Sequence, residues 1–202
     1  MKKILNKISV VLVCYNSSFK LNKFIRKIPK ETKIFIIDNS NDLNVLCELC
    51  LRENQRLEAS MVELHRLAGH GNIGYGRAHN LALQVIDSDF HLILNPDVTL
   101  EEDALFLALN RMTENGQIKA LSPNATDSHG NKQYLCKNYP SVFTLLIRGL
   151  GFAALKKLFS ERLSFYENQA LPEDKSTEKE MLLGGCFMLV ETQALKVVNG
   201  FD

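Results

Sequence analysis

Residues 8–18 read Ile8-Ser9-Val10-Val11-Leu12-Val13-Cys14-Tyr15-Asn16-Ser17-Ser18. The run to Cys14 is apolar, largely β-branched and without alternation. That is the pattern of a strand covered on both faces, as in a parallel sheet, and not of one wetted on one side. The polar residues that follow end it, and Ser17 or Ser18 can cap a helix from about Phe19 to Ile28, which Pro29 stops. The pattern recurs. Lys33–Ile37 is a second buried strand ending in Asp38-Asn39-Ser40-Asn41-Asp42, a cluster able to cap a helix over about Leu43–Asn54. Met61–Leu67 is a weaker third strand. It leads into the glycine-rich stretch Gly69–Gly76 and then into helical spacing at Ala78, Leu81, Ala82, Val85 and Ile86. Phe90–Leu94 is a fourth strand, closed by Asn95-Pro96-Asp97. Glu101-Glu102-Asp103 put acids where a helix dipole favours them, ahead of a helix to about Asn115-Gly116, and Ile118–Ser122 reads as a fifth strand.

Strands alternating with helices imply an α/β fold: a doubly wound, mostly parallel sheet with helices on both faces and right-handed crossovers. In such sheets ligands bind outside the carboxyl ends of the strands. Tyr15-Asn16, Asp38-Asn39, the Gly69–Gly76 loop and Asn95-Pro96-Asp97 are therefore expected to converge on one edge.

Composition bounds the rest. The chain has 202 residues, 46% hydrophobic and 23% charged, enough for one or two ordinary globular domains. A net charge of +1 argues against a dedicated nucleic-acid binder, which needs a basic excess for phosphate contacts. Five cysteines without a small-domain spacing suit free thiols in a reducing compartment. Cys47-Glu48-Leu49-Cys50 lacks the second pair that a zinc site requires. The basic Met1-Lys2-Lys3 is followed by too short an apolar run for a signal peptide, and no stretch reaches membrane-span length, so the expectation is a cytoplasmic protein.

Residues 123–180 are less regular. Asp127-Ser128-His129-Gly130-Asn131 reads as a hairpin turn, and Pro172–Glu180 as a charged loop. Val142–Phe159 is apolar, with Arg148, Lys156 and Lys157. It reads either as a core helix kinked at Gly149-x-Gly151 or as a basic, apolar surface helix in peripheral contact with the inner membrane. Leu182–Val190 is a further strand containing Gly184-Gly185, and Glu191-Thr192 precede a short helix over Gln193–Val198.

Three constellations carry chemistry. Gly69-His70-Gly71-Asn72-Ile73-Gly74 is a literal dinucleotide fingerprint with Asp97 downstream, which alone points to an NAD-dependent oxidoreductase. Against this, two strand–helix units precede it, whereas the fingerprint normally follows the first strand. A glycine loop that only permits close backbone packing is the other reading. Asn95-Pro96-Asp97 is a proline-stiffened corner after an apolar strand. One Asp suffices for a hard divalent cation when a diphosphate and water complete its shell. Asp38 can accept a hydrogen bond from a pyrimidine N–H; the alternative is that Asp38 or Ser40 only caps a helix. Asn72 and Asn80 offer amides suited to ribose or phosphate contacts.

Taken in order, Val13-Cys14-Tyr15-Asn16, Ile37-Asp38-Asn39-Ser40, Gly71-Asn72-Ile73-Gly74-Tyr75-Gly76-Arg77-Ala78-His79-Asn80, Leu94-Asn95-Pro96-Asp97 and Gly184-Gly185-Cys186-Phe187-Met188-Leu189-Val190 through Gly200-Phe201-Asp202 resemble family 2 glycosyltransferases. The rhamnosyltransferase-like branch, which makes bacterial surface polysaccharides, is the most similar. The resemblance covers nearly the whole chain. It implies a single GT-A domain over 1–202, with a nucleotide-sugar-binding half (1–122) and a partial acceptor-side half (123–202). It implies inverting transfer from a dTDP- or UDP-sugar to a saccharide or lipid-linked acceptor, with Mg²⁺ or Mn²⁺. Tyr15, Asn16 and Asp38 would hold base and ribose, and Asn72, Gly74 and Asn80 would line the nucleotide pocket. Asn95-Pro96-Asp97 would be the DxD-like motif, Asn95 standing where the first acid often is and Asp97 on the metal. Gly184, Gly185 and Cys186 would lie at the sugar–acceptor junction. The family's general base lies in an acidic stretch just after Gly-Phe-Asp, so the expectation is a base beyond Asp202 and a truncated chain that binds donor with weak or no transfer. Glu178 and Glu180 do not match that motif.

Overall fold

The computed structural model describes residues 8–15, 32–40, 63–172 and 181–202. The expected helices at 19–28 and 43–54, the Cys47/Cys50 pair, Asn16, Glu178 and Glu180 lie outside these residues.

The described chain forms two compact units: residues 1–121 with 185–202, and residues 122–184. The first holds a six-stranded sheet ordered β3-β2-β1-β4-β10-β5. Strands β1 (Ile8–Cys14), β2 (Lys33–Asp38), β3 (Glu63–Leu67) and β4 (Phe90–Leu94) are mutually parallel, with Val11 opposite both Phe35 and Ile93. Strand β10 (Phe187–Glu191) runs antiparallel to β4 and to β5 (Ala120–Leu121). The sheet is thus mixed and mostly parallel.

Every residue of β1 is buried, because both faces are covered. Val10, Leu12, Ile34, Ile36, Leu92 and Leu94 face helix α2 (Ala104–Glu114) through its Leu105, Ala108, Leu109 and Met112. Val11, Val13, Phe35 and Ile37 face helix α1 (Tyr75–Leu83) through Ala78 and Ala82, with Ile86 beyond it. Alternate residues of one unbroken apolar run thus serve two helical layers, which is why the sequence shows no alternation. Each fully buried Leu or Ile contributes about 1.5–3 kcal/mol of transfer free energy, so the interior of this sheet carries the unit's stability. Helix α1 begins at Tyr75, three residues earlier than the spacing at Ala78 suggested.

The second unit contains the hairpin β6/β7 (Ala125–Thr126, Lys132–Gln133), the pair β8/β9 (Cys136–Lys137, Leu182–Leu183) and three helices, α3 (Val142–Leu150), α4 (Ala153–Leu158) and α5 (Ser160–Tyr166). Asp127 orders the hairpin turn by accepting from the N–H groups of His129 and Asn131, both at 2.9 Å. The apolar stretch 142–159 is not one kinked helix. Gly151, at φ 71°, terminates α3 in the left-handed conformation, and α4 starts afresh. Leu182–Val190 is likewise not one strand. Its first two residues pair with β8 in the second unit, and the chain re-enters the first unit after Gly184. Residues 185–202 complete the first unit's sheet and add helix α6 (Thr192–Val197). No described helix is long and apolar enough to cross a membrane.

Candidate functional site at the carboxyl edge of the sheet

Strand order places the site. The chain runs β1, β2, β3 outward in one direction, then crosses back so that β4 flanks β1 on its other side. The crevice at the carboxyl ends of β1 and β4 is a topological switch point, where open α/β sheets bind ligands. Tyr15 follows β1 there and is half exposed, presenting a ring face on which a base can stack. Asn95-Pro96-Asp97 follows β4. Because β10 is antiparallel to β4, its amino end reaches the same edge, with Phe187 opposite Leu94. Asn95 N–H donates to the Cys186 carbonyl at 3.0 Å, bringing Cys186 beside the corner.

The corner itself is a tight turn. The N–H of Val98 donates to the Asn95 carbonyl at 3.2 Å, with Pro96 at the second position, where its fixed φ is already that of the turn. The Tyr75 hydroxyl lies 2.9 Å from Asn95 Oδ1 and 2.8 Å from the Gly185 carbonyl, and its single proton can be donated to either. Burial, reinforced by Cys186, Asp97 and Cys14 nearby, pushes the Tyr75 phenol well above its ordinary pKa, so it remains a donor. A Cβ on Gly185 would meet Tyr75 Cε1 at 3.2 Å, so the glycine makes room for the ring. Asn95 therefore holds the corner in shape. Asp97 is exposed, and no hydrogen bond or ion pair among the described residues engages its carboxylate.

The glycine loop is tied to the strand ends by Asn39, which is buried. Its N–H donates to the Cys14 carbonyl at 2.9 Å, its amide nitrogen to Asn72 Oδ1 at 3.0 Å, and its Oδ1 accepts from Ile73 N–H at 3.1 Å. Asn72 Oδ1 also accepts from Gly74 N–H at 3.1 Å. Gly74 is the N-cap of α1 at φ 89°, a conformation that a residue with a Cβ adopts only with strain. The first-turn N–H groups of α1 have no intrahelical carbonyl and, with the helix dipole, favour an anion, and Arg77 is exposed in that same turn.

Two residues expected to contact ligand have protein partners of their own. Asp38 is fully buried, and one of its oxygens accepts from Ser40 N–H at 3.1 Å, an Asx-type turn that shapes the end of β2. Asn80 is turned to the chain's own backbone. Its Oδ1 accepts from Phe201 N–H at 2.9 Å and its Nδ2 donates to the Phe201 carbonyl at 2.7 Å. Gly184, grouped with Gly185 and Cys186 in the sequence, belongs to the second unit, where its N–H donates to the Leu135 carbonyl. Tyr75 and Asn39 are the site-building residues that sequence reasoning did not single out. Both lie within quoted motifs, but nothing in the sequence shows which backbone groups they reach.

The fingerprint reading does not suit this topology. The loop follows β3, the edge strand, and leads the crossover to β4, whereas a dinucleotide fingerprint follows the first strand of its unit.

No family model matches the chain, and no curated protein matches it. Solved structures do. A mannosyltransferase from Pyrobaculum calidifontis, in complex with GDP-Man and Mn²⁺, superposes with a TM-score of 0.61 at 14% identity, covering 97% of this chain and 47% of its own. TarS 1-349 of S. aureus superposes at 0.55 and 17% identity, covering 96% and 49%. The mannosyl-3-phosphoglycerate synthase from Rubrobacter xylanophilus gives 0.51 and 15%, covering 93% and 54%. The fold is that of GT-A-type glycosyltransferases. The chain spans about half the length of these structures.

Proposed function

We propose that this chain is the donor-binding part of a glycosyltransferase that uses a nucleotide-diphosphate sugar. The observation that carries the reading is the gathering, at one switch-point edge, of an exposed aromatic ring (Tyr15), an uncapped helix N-terminus behind Asn72 and Gly74, and the rigid corner Asn95-Pro96-Asp97. A ring to stack the base, N–H groups for phosphate and a carboxylate are the parts a nucleoside diphosphate calls for. Two neighbours support it by their ligands: the mannosyltransferase holds GDP-Man and Mn²⁺, and a second TarS 1-349 structure (TM-score 0.54, 17% identity) holds UDP-GlcNAc.

The residues fit a divalent cation of the kind that substrate completes. Among the described residues no group of three acidic, histidine or cysteine side chains gathers to form an all-protein metal cage. One exposed, unengaged carboxylate, Asp97, is what a site shared with a diphosphate and water requires. Mg²⁺ or Mn²⁺ bound there supplies neutralisation of the charge that develops on the departing diphosphate. Asn95 and Tyr75 keep Asp97 at the crevice, and Asn39 and Asn72 fix the loop that presents the α1 N–H groups. Asp38, its own oxygen committed to Ser40, positions the turn beside Tyr15. Cys186 and Gly185 border the corner where sugar and acceptor would meet. The sequence resemblance favours inverting transfer in the rhamnosyltransferase-like branch, with a dTDP- or UDP-sugar donor and a saccharide or lipid-linked acceptor of a bacterial surface polysaccharide. Binding without turnover is the second reading, because no described carboxylate is assigned as general base.

The test is a thermal-shift and calorimetric screen of UDP, dTDP, GDP and NAD, each with and without Mn²⁺. Binding to the folded state raises stability by mass action, about 2.7 kcal/mol at a hundredfold excess over Kd. A nucleoside diphosphate is expected to shift the transition in a Mn²⁺-assisted manner, and Asp97→Ala to remove the Mn²⁺-dependent part alone. A shift with NAD only, or an unchanged Mn²⁺ effect in Asp97→Ala, overturns the assignment. Release of free sugar or transfer to an added acceptor separates turnover from binding.

A further inference from the structure

Helix α3 of the second unit is turned inside out. Its sheltered positions are Thr144 and Ile147, and Thr144 is part of a polar knot. Ser141, the N-cap, accepts from Thr144 N–H at 3.2 Å, while Arg162 donates to Ser141 Oγ at 2.9 Å and to Thr144 Oγ1 at 3.3 Å. The opposite face carries Val142, Leu146 and Leu150, spaced i, i+4, i+8, which are 76%, 56% and 55% exposed. A surface helix of a globular domain ordinarily reverses this, with its apolar stripe inward. Phe152, Leu158 and Phe165 on the following segments are also largely exposed.

Charge accompanies the apolar surface. Residues 141–166 contain Arg148, Lys156, Lys157 and Arg162 against Glu161 alone, a net +3. The whole chain carries +1, so this apolar segment is locally more cationic than the chain as a whole. Lys156 and Lys157 are exposed on α4. A second copy of the chain is a poor occupant, since a symmetric contact would set this +3 against itself. A surface both apolar and anionic matches.

We infer that helices α3 and α4 form a docking surface for an anionic lipid bilayer, the Val142/Leu146/Leu150 stripe entering the headgroup–acyl boundary and Lys156 and Lys157 meeting anionic headgroups. The binding is interfacial, driven by buried apolar area and by attraction to negative lipid. It does not depend on the donor-site reading, because vesicle binding is measured without nucleotide.

The experiment is co-sedimentation of the full chain with phosphatidylcholine vesicles with or without phosphatidylglycerol, at low and high salt. Sedimentation velocity of the protein alone runs alongside. The expected result is partitioning onto phosphatidylglycerol vesicles that weakens with salt. Each lysine near such a surface contributes roughly fivefold, so Lys156→Ala with Lys157→Ala should weaken partitioning by about 25-fold. Leu146→Glu should abolish it while the far-UV circular dichroism stays unchanged, since Leu146 is on the outer face; the lysine pair tests the same surface if that variant misfolds. Three results each overturn the inference: no partitioning onto anionic vesicles, equal partitioning onto neutral ones, or self-association of the protein alone that Leu146→Glu removes.

Discussion

Helix α6 ends in two consecutive left-handed residues, Asn199 at φ 61° and Gly200 at φ 79°. Gly200 N–H donates to the Leu195 carbonyl at 2.9 Å and Asn199 N–H to the Lys196 carbonyl at 3.1 Å, the paired bonds of a Schellman termination. This turn delivers Phe201 to Asn80, and a Cβ on Gly200 would collide with Asn80 Oδ1. Gly200→Ala therefore does two things. It places a side-chain-bearing residue in left-handed backbone, at about 1–2 kcal/mol. It also displaces the Asn80 amide from Phe201, forfeiting two hydrogen bonds of about 0.5–1.5 kcal/mol each. Together the loss is about 2–5 kcal/mol, or about 4–20 °C in Tm for a chain of this size. Asn80→Ala alone should cost only the hydrogen-bond part, about 1–3 kcal/mol. The two hydrogen bonds can be lost only once, so the double variant should fall short of the sum by that same amount. Urea denaturation of all four proteins, followed by circular dichroism with the slopes checked for constancy, measures this directly. Additivity within about 0.5 kcal/mol would show that the Asn80–Phe201 clip does not hold the turn, and the reasoning fails.

Two further outcomes follow from the same geometry. Tyr75→Phe keeps the ring but removes the proton donated to Asn95 Oδ1 or Gly185 O. It should weaken Mn²⁺-assisted nucleotide binding severalfold, at about 1 kcal/mol for a half-exposed hydrogen bond, with Asp97 still present; unchanged titration calorimetry would deny Asn95 its positioning role. The second concerns pH. His79 and His91 are buried with ring centroids 5.8 Å apart, and no hydrogen-bond partner is found for their ring nitrogens. Burial lowers the pKa of His91 to about 4, and burial with His91 nearby lowers that of His79 to about 3. Unfolded, each titrates near 6.5. Their contribution to stability is thus complete above that pH and declines as pH falls from about 6.5 towards 4, because only the unfolded chain takes up protons there. Together they should account for about 2 kcal/mol between pH 6 and 5, and His79→Leu should halve that part of the slope. Urea midpoints that fall equally with pH in wild type and His79→Leu would refute the assignment.

The central sheet was legible because its strands are buried on both faces. Ile8–Cys14, Ile34–Ile37 and Leu92–Leu94 are buried and, Ser9 apart, apolar, and their shortness between turn residues favours strands. Helix α1 was placed late because Gly74-Tyr75-Gly76 reads as loop, although Gly74 is its N-cap. The run 182–190 misled for a different reason. Hydrophobicity marks a strand but not its partner, and only the glycines at 184–185 signal that the chain changes unit. At the candidate site, the order of motifs placed Tyr15, Asn39, the glycine loop and Asn95-Pro96-Asp97 at one edge of the sheet, since that follows from strand direction alone. The tasks of single residues were less legible. Asn80 and Asp38 have side chains suited to ligands, and their contacts with Phe201 and Ser40 have no sign in the sequence. Tyr75, the first residue of a helix, gives no sequence sign that its hydroxyl joins Asn95 to Gly185.

The antiparallel strand β10 has a consequence for synthesis on the ribosome. It is the neighbour of β4 on the side away from β1, and it pairs Phe187 with Leu94, residues far apart in the chain. At about 5–20 residues per second, roughly 5–20 s pass between the emergence of the two strands. Throughout that interval the nascent sheet ends in Phe90–Leu94, an apolar strand with its hydrogen-bonding edge open, which is the feature that templates misassociation. Conditions that slow elongation between residues 95 and 187 should therefore lower soluble yield more than a slowing of equal length before residue 90.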